Sequence, residues 1–102
     1  MFGTVILDVY SPDETKELAD AIDDLFCPND GYGWASAGIY SFWDYITHEV
    51  LYIGLASDLA VRFKQHNGLL SMPEEGCKYA YIQEYFNSHD KLGYTMFVQS
   101  PL

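Results

Sequence analysis

Residues 38–66 read GIYSFWDYITHEVLYIGLASDLAVRFKQH, and the rest of the chain is organised around this stretch. It contains two tyrosine triplets, Gly38-Ile39-Tyr40 and Tyr52-Ile53-Gly54. The triplets lie in two strand-like runs, 35–43 and 49–55, and the turn-like segment 44–48 joins them. This pattern predicts an antiparallel hairpin.

A helix is predicted directly after the hairpin, over about 58–67, with Ser57 as its N-cap and Gly68 as its stop signal. Helical spacing then places Asp58, Arg62 and His66 on one face. On pattern alone, this face is expected to carry a surface salt bridge between Asp58 and Arg62, with a solvated histidine next to it.

Four further elements are expected outside this stretch. Alternating apolar residues predict a short strand over 4–10 and a last strand over about 92–99. The sequence Ser11-Pro12-Asp13-Glu14 is a capping-box start for a helix, and aromatic residues at helical spacing predict another helix over 78–88. The apolar stripe of the first helix consists of Leu18, Ile22, Leu25 and Phe26.

The chain of 102 residues is expected to form one domain. Its predicted class is α+β, with a small three-stranded antiparallel sheet flanked by helices. Residues 1–30 are interpreted as an extension made of an acidic helix and a short N-terminal strand, and 31–102 as the core.

The formal charge of the chain is −10, and most of it belongs to the N-terminal segment. Residues 1–30 hold eight acids and one base, whereas 31–102 hold seven acids and four bases. The acidic helix is interpreted as a solvated face, with a docking surface for a basic protein partner as the alternative. Proteins that bind nucleic acids usually present a basic surface, because phosphate contacts supply most of the affinity.

Taken together, the triplets and the arginine resemble the GIY-YIG nuclease family. Both name-giving triplets are present, Arg62 follows Tyr52 by ten positions, and His66 lies one helical turn beyond it. The resemblance covers about 36–70 closely and the remainder by element order. It implies a metal-dependent DNA endonuclease, a hydrolase that cuts phosphodiester bonds.

The resemblance also implies a role for each motif residue. Tyr40 and Tyr52 would orient or deprotonate the attacking water, and His66 would serve as a proton relay or phosphate contact. Arg62 would hold the scissile phosphate and offset the charge of the transition state. The glycines would let the backbone pack closely under the site; the structural motif residues are Gly38, Ile39, Ile53 and Gly54.

A divalent metal ion, magnesium or manganese, is expected from the resemblance, but its ligand is unknown. The family carries its metal-binding glutamate on a helix after the last strand, and the predicted last strand ends near residue 98. Glu74 and Glu75 precede that strand in a loop, and Glu84 is interpreted as a solvated helix residue. The chain is therefore expected to be a piece of a longer protein, incomplete at its C-terminus, or a degenerate member without catalysis.

Two functions of different classes follow. The first is a DNA endonuclease whose affinity for DNA comes from another domain or subunit. The second is a catalytically degenerate module that mediates protein or nucleic-acid interaction.

No apolar run reaches the roughly 18 to 20 residues of a membrane span, so no membrane partner is expected. Cys27 and Cys77 are interpreted as the reduced thiols of a cytoplasmic protein, with a disulfide between them as the alternative.

Overall fold

The computed structural model describes residues 3–26, 36–71 and 78–99. Within these ranges it contains four strands and three α-helices. Their bounds are β1 Gly3–Tyr10, α1 Thr15–Phe26, β2 Gly38–Asp44, β3 Val50–Ala56, α2 Leu59–His66, α3 Tyr79–Phe86 and β4 Leu92–Gln99. Glu74, Glu75 and both cysteines lie outside the described residues. The predicted α+β class is confirmed.

The sheet has four antiparallel strands in the order β1-β4-β2-β3, so the prediction of three strands was wrong. β1 pairs with β4 over its whole length, from Gly3 opposite Gln99 to Tyr10 opposite Leu92. Without β1, the backbone N–H and C=O groups along one side of β4 would be unpaired. The N-terminal strand therefore completes the sheet, and the strand with the first triplet, β2, lies between β4 and β3.

The turn between β2 and β3 is held by Asp44. The Asp44 carboxylate accepts hydrogen bonds from the backbone N–H groups of Ile46 (2.9 Å) and Thr47 (2.8 Å). The backbone N–H of His48 donates to the Asp44 carbonyl, and His48 itself has a positive φ of 64°. A short polar side chain that bonds backbone groups two and three residues ahead favours such a turn.

Two helix starts follow different capping rules. A 3₁₀ turn, Pro12–Glu14, precedes α1, and the Glu14 carboxylate accepts the Ser11 N–H at 3.0 Å, as the predicted capping box requires. At α2 the N-cap is Asp58, whose carboxylate accepts the Val61 N–H, so the prediction of Ser57 as cap was wrong. In the described ranges, no helix is both long and apolar enough to cross a membrane.

The two faces of the sheet differ in what covers them. On one face, buried residues of the strands pack with residues of the helices: Tyr10 contacts the ring of Phe63 at 5.3 Å and that of Phe86 at 5.7 Å. The opposite face carries an exposed apolar row that runs across all four strands in register. The row consists of Val5, Phe97, Ile39 and Leu55, which are 52%, 48%, 42% and 74% exposed.

Candidate functional site

Four residues singled out from the sequence come together on the helix-covered face. They are Tyr40 of β2, Tyr52 of β3, and Arg62 and His66 of α2, and we refer to them as the tyrosine–arginine cluster. The ring centroids of Tyr40 and Tyr52 are 6.0 Å apart, and that of His66 lies 5.5 Å and 5.9 Å from them. A hairpin and its following helix thus supply the whole cluster.

The triplet glycines have steric reasons to be glycine. Tyr40 pairs with Gly54 across the hairpin, and a Cβ on Gly54 would overlap the Tyr40 hydroxyl. A Cβ on Gly38 would overlap the carbonyl oxygen of Phe97 in the neighbouring strand. The triplet isoleucines belong to the other face and are exposed. The motif therefore packs the ring of Tyr40 against bare backbone.

His66 is neutral and its tautomer is fixed by its two partners. The backbone N–H of Lys78 donates to His66 Nδ1 at 3.0 Å, so the ring proton resides on Nε2. Nε2 lies 2.7 Å from the Tyr40 hydroxyl oxygen and donates to it. Burial, reinforced by the charges of Arg62 and Lys78, lowers the pKa of His66 to about 4. With no exposed surface, His66 holds Tyr40 in place.

Tyr40 is buried, with 1% of its surface exposed, and stays protonated at neutral pH. Burial and the nearby Tyr52 hydroxyl raise the pKa of Tyr40 to about 12, while Arg62 acts in the opposite direction. Both Tyr52 and Arg62 lie within hydrogen-bonding reach of the Tyr40 hydroxyl. Since that oxygen accepts the His66 proton, its own proton is available for Tyr52.

Two cations serve the cluster: Arg62 is a member of it, and Lys78 lies beside it. The Asp58 carboxylate caps α2, and within the described ranges no carboxylate forms an ion pair with Arg62. The salt bridge between Asp58 and Arg62, which the spacing alone favoured, is therefore not present. The ammonium of Lys78 lies 4.8 Å from the centre of the Tyr52 ring, a cation–π contact. This side of the molecule can accept an anion although the whole chain is acidic.

The described residues do not fit a divalent metal ion at the cluster. Nowhere in the described ranges do three His, Cys, Asp or Glu residues come together as metal ligands. The cluster itself offers phenols, a guanidinium and a neutral imidazole with both nitrogens engaged, whereas magnesium prefers carboxylate and water oxygens. Glu84 is exposed on α3. No chemical step is therefore assigned to a metal.

Lys78 is the residue of the site that sequence reasoning missed. It contributes its backbone N–H to His66 and its ammonium to Tyr52, yet it lies 12 positions after His66. A backbone donor leaves no trace in the residue type, so the only available signal was a cation at the first position of the predicted helix 78–88. The contact with His66 ties the start of α3 to the cluster.

Polar groups close to the hairpin turn have hydrogen-bond partners within the fold. The Tyr85 hydroxyl donates to Asp44 at 3.2 Å, and the Tyr85 ring stacks on His89 with centroids 4.0 Å apart. The indole N–H of Trp43 donates to the Thr95 hydroxyl at 2.8 Å. These contacts join the hairpin turn to α3 and β4, and they support the fold beside the cluster.

Comparison of the chain with known protein families, with curated proteins and with solved structures finds no match. The resemblance to GIY-YIG nucleases thus rests on the motif residues of the sequence.

Proposed function

We propose that the chain carries the phosphate-binding side of a GIY-YIG-type DNA endonuclease site. The observation that supports this is the convergence of the tyrosine–arginine cluster. Residues that the motif names from two strands and a helix, with Tyr40 and His66 separated by 26 positions, meet within hydrogen-bonding distance. Tyr40 lies on β2, which is paired with a strand on each side, and Tyr52 lies on the neighbouring edge strand β3.

In this proposal Arg62 binds the scissile phosphate. Its guanidinium is half-buried, without a carboxylate partner in the described ranges, and presents a planar set of donors that suits phosphate oxygens. A donor aimed at charge that grows in the transition state typically contributes about 10²- to 10³-fold in rate. Arg62 would therefore be the residue whose loss costs most.

The two tyrosines have different roles in this proposal. Tyr52 is half-buried and lies nearer the surface, so it orients the attacking water. Tyr40 is protonated and buried, and its hydroxyl holds that of Tyr52. His66 donates to Tyr40 and acts as a positioning residue, because its complete burial keeps it from the phosphate. Neither Tyr40, which is protonated, nor His66, which is fully buried, is placed to take a proton from that water.

The test is a plasmid-cleavage assay with the full-length protein, with and without magnesium or manganese. We expect nicked or linear DNA from the wild type, a loss of about 100-fold for Arg62→Ala, and a clear loss for Tyr52→Phe. Lys91→Ala is the matched control, because it removes one exposed positive charge outside the cluster. Circular dichroism confirms that the variants fold.

The proposal fails if the wild type leaves the plasmid intact under all these conditions. It also fails if Arg62→Ala and Tyr52→Phe cut as fast as the wild type. A loss of equal size in Lys91→Ala would assign the effect to net charge and likewise contradict the role given to the cluster.

A second candidate is a non-catalytic interaction module on the same scaffold. It is favoured by the lack of a metal-ligand group in the described residues and by the charge of −10. It predicts capture of a basic protein partner through the acidic helix α1 and no salt-sensitive complex with DNA. A tight DNA complex that weakens steeply with salt would contradict it.

A further inference from the structure

A cavity of about 140 Å³ adjoins the tyrosine–arginine cluster, and we call it the aromatic cavity. It opens between β3 and α3, and its lining includes Phe42, Tyr52, Lys78, Tyr81, Ile82 and Tyr85. Tyr52 belongs to both the cavity and the cluster. Lys78 also joins them, because its ammonium lies over Tyr52 and its backbone N–H bonds to His66.

The size of the cavity suits a single flat ring. An apolar protein cavity of about 150 Å³ accommodates benzene, so a space of 140 Å³ holds one aromatic ring in close contact with its walls. A longer or branched ligand would have to leave most of its atoms outside. The volume of the cavity therefore excludes ligand groups much larger than a single ring.

The chemistry of the walls favours a ring that belongs to a nucleic acid. Three tyrosines and a phenylalanine offer faces and edges for stacking, and Ile82 adds an apolar floor that is 3% exposed. Lys78 gives the cavity a positive charge, and Arg62 adds a second one beside Tyr40, whose ring neighbours that of Tyr52. An apolar slot beside two cations complements a base that is linked to phosphates.

We propose that the aromatic cavity holds an unpaired nucleobase of the strand whose phosphate Arg62 binds. The base must be unpaired, because one inside a duplex is covered on both faces by its neighbours and cannot enter a slot. Stacking dominates recognition, and the size of the cavity favours the single ring of a pyrimidine over the two fused rings of a purine. That this base belongs to a strand being cut rests on the proposed function, whereas the binding of a base in the cavity does not.

The test measures binding of the full-length protein at low salt to two probes. One is a single-stranded oligothymidine of about eight nucleotides, and the other is an abasic deoxyribose-phosphate chain of the same length. We expect the wild type to bind the first about tenfold more tightly than the second, as the stacking of one base provides. The Tyr81→Ala variant should bind the two probes with the same affinity, and this affinity should be lower than that of the wild type for the oligothymidine.

Tyr79→Ala is the matched control. Tyr79 and Tyr81 lie on the same helix and are 43% and 58% exposed, so neither substitution opens the core. Tyr79 packs beside Gly68 outside the cavity, and its variant should keep the tenfold preference for the probe with bases. Loss of that preference in both variants would point to a general effect on α3 and would overturn the proposal.

The outcomes also separate this proposal from the nuclease. If the plasmid stays intact but Tyr81→Ala abolishes the preference for bases, the nuclease fails and the base-binding cavity stands. If cleavage depends on Arg62 but Tyr81→Ala keeps the full preference, the cavity proposal fails and the nuclease stands. Equal binding of both probes by the wild type, or binding of neither, overturns the cavity proposal.

Discussion

Two tyrosines in the core differ in what their hydroxyl groups contact. The Tyr10 hydroxyl donates to Asn67 Oδ1 at 2.7 Å, and Asn67 is itself buried. The Tyr94 hydroxyl is buried without a hydrogen-bond partner in the described ranges. An unpaired buried polar group costs about 1 to 3 kcal/mol, whereas a satisfied hydrogen bond contributes about 1 kcal/mol. The same substitution should therefore have opposite effects at the two positions.

We expect Tyr94→Phe to leave the free energy of unfolding unchanged or raise it by about 1 kcal/mol, because it removes an unpaired hydroxyl. Tyr10→Phe should lower it by about 1 to 3 kcal/mol, because Asn67 loses its donor. Urea denaturation of both variants measures these values. Destabilisation of equal size in both would contradict the difference between the two hydroxyls.

The folded state should become less stable in acid, because His66 gains a proton when the chain unfolds. The pKa of His66 is about 4 in the folded chain, against an ordinary value of 6.5, so the unfolded chain binds more protons between these pH values. Stability is therefore fully present above pH 6.5 and falls as the pH is lowered towards 4. The full contribution is about 3 kcal/mol.

His66→Gln isolates this effect from the carboxylates, which also titrate in acid. A glutamine amide can donate to Tyr40 but does not ionise in this range. Urea denaturation at several pH values should give a shallower fall of stability between pH 6.5 and 4 for the variant than for the wild type. Parallel curves for the two proteins would show that His66 does not ionise on unfolding.

The start of α2 gives a prediction at the scale of elements. Asp58 accepts the Val61 N–H at 3.1 Å, whereas the neighbouring Ser57 is exposed and precedes the cap. Loss of a capping side chain typically costs about 1 kcal/mol. Asp58→Ala should therefore lower the free energy of unfolding by about that amount, and Ser57→Ala should have little effect. If urea denaturation showed that Ser57→Ala lowers the free energy of unfolding and Asp58→Ala does not, Ser57 would be the N-cap, as the sequence predicted.

The elements themselves were largely predictable, and their ends and partners were less so. The predicted hairpin strands and the helix after them lie within a few residues of β2, β3 and α2. Both Ser57 and Asp58 are good caps, and residue type cannot choose between neighbours. The pairing of β1 with β4 was missed because it joins residues 82 to 96 positions apart, and alternation predicts a strand without identifying its partner.

At the scale of the whole molecule, the sequence predicted which residues would meet but not how they are held. The resemblance to GIY-YIG nucleases implied that Tyr40, Tyr52, Arg62 and His66 belong to one site, whereas helical periodicity alone gave only the shared helix face of Arg62 and His66. The burial of His66 and Tyr40, and with it their altered pKa values, depends on Lys78 and on packing between elements. These contacts are long-range, so local patterns carry no information about them.

The N-terminal segment is part of the fold, so the effect of its acidic residues cannot be tested by removing the segment. β1 is a full strand of the sheet and α1 packs against α2, where Lys64 forms an ion pair with Asp23. Deletion of 1–30 would therefore damage the fold and would not isolate the effect of charge. Substitution of exposed acids on α1 keeps the strand and the packing.

We expect Glu17→Gln with Asp24→Asn to strengthen binding of the oligothymidine probe severalfold at low salt. Both side chains are exposed, and the pair of changes reduces the formal charge from −10 to −8. They lie on the helix beside α2, which carries Arg62, so they repel a phosphate chain approaching the cluster. The gain should shrink at high salt, where exposed charges are screened within a few ångströms.

Asp8→Asn with Glu49→Gln is the control, since it changes the charge equally at exposed positions outside α1 and α3. A smaller gain from this pair would assign the repulsion to the acidic helix, and an equal gain would assign it to net charge. No gain from the α1 pair at any salt concentration would show that α1 does not oppose the approach of DNA. The acidity of α1 would then favour the second candidate function, in which this helix binds a basic protein partner.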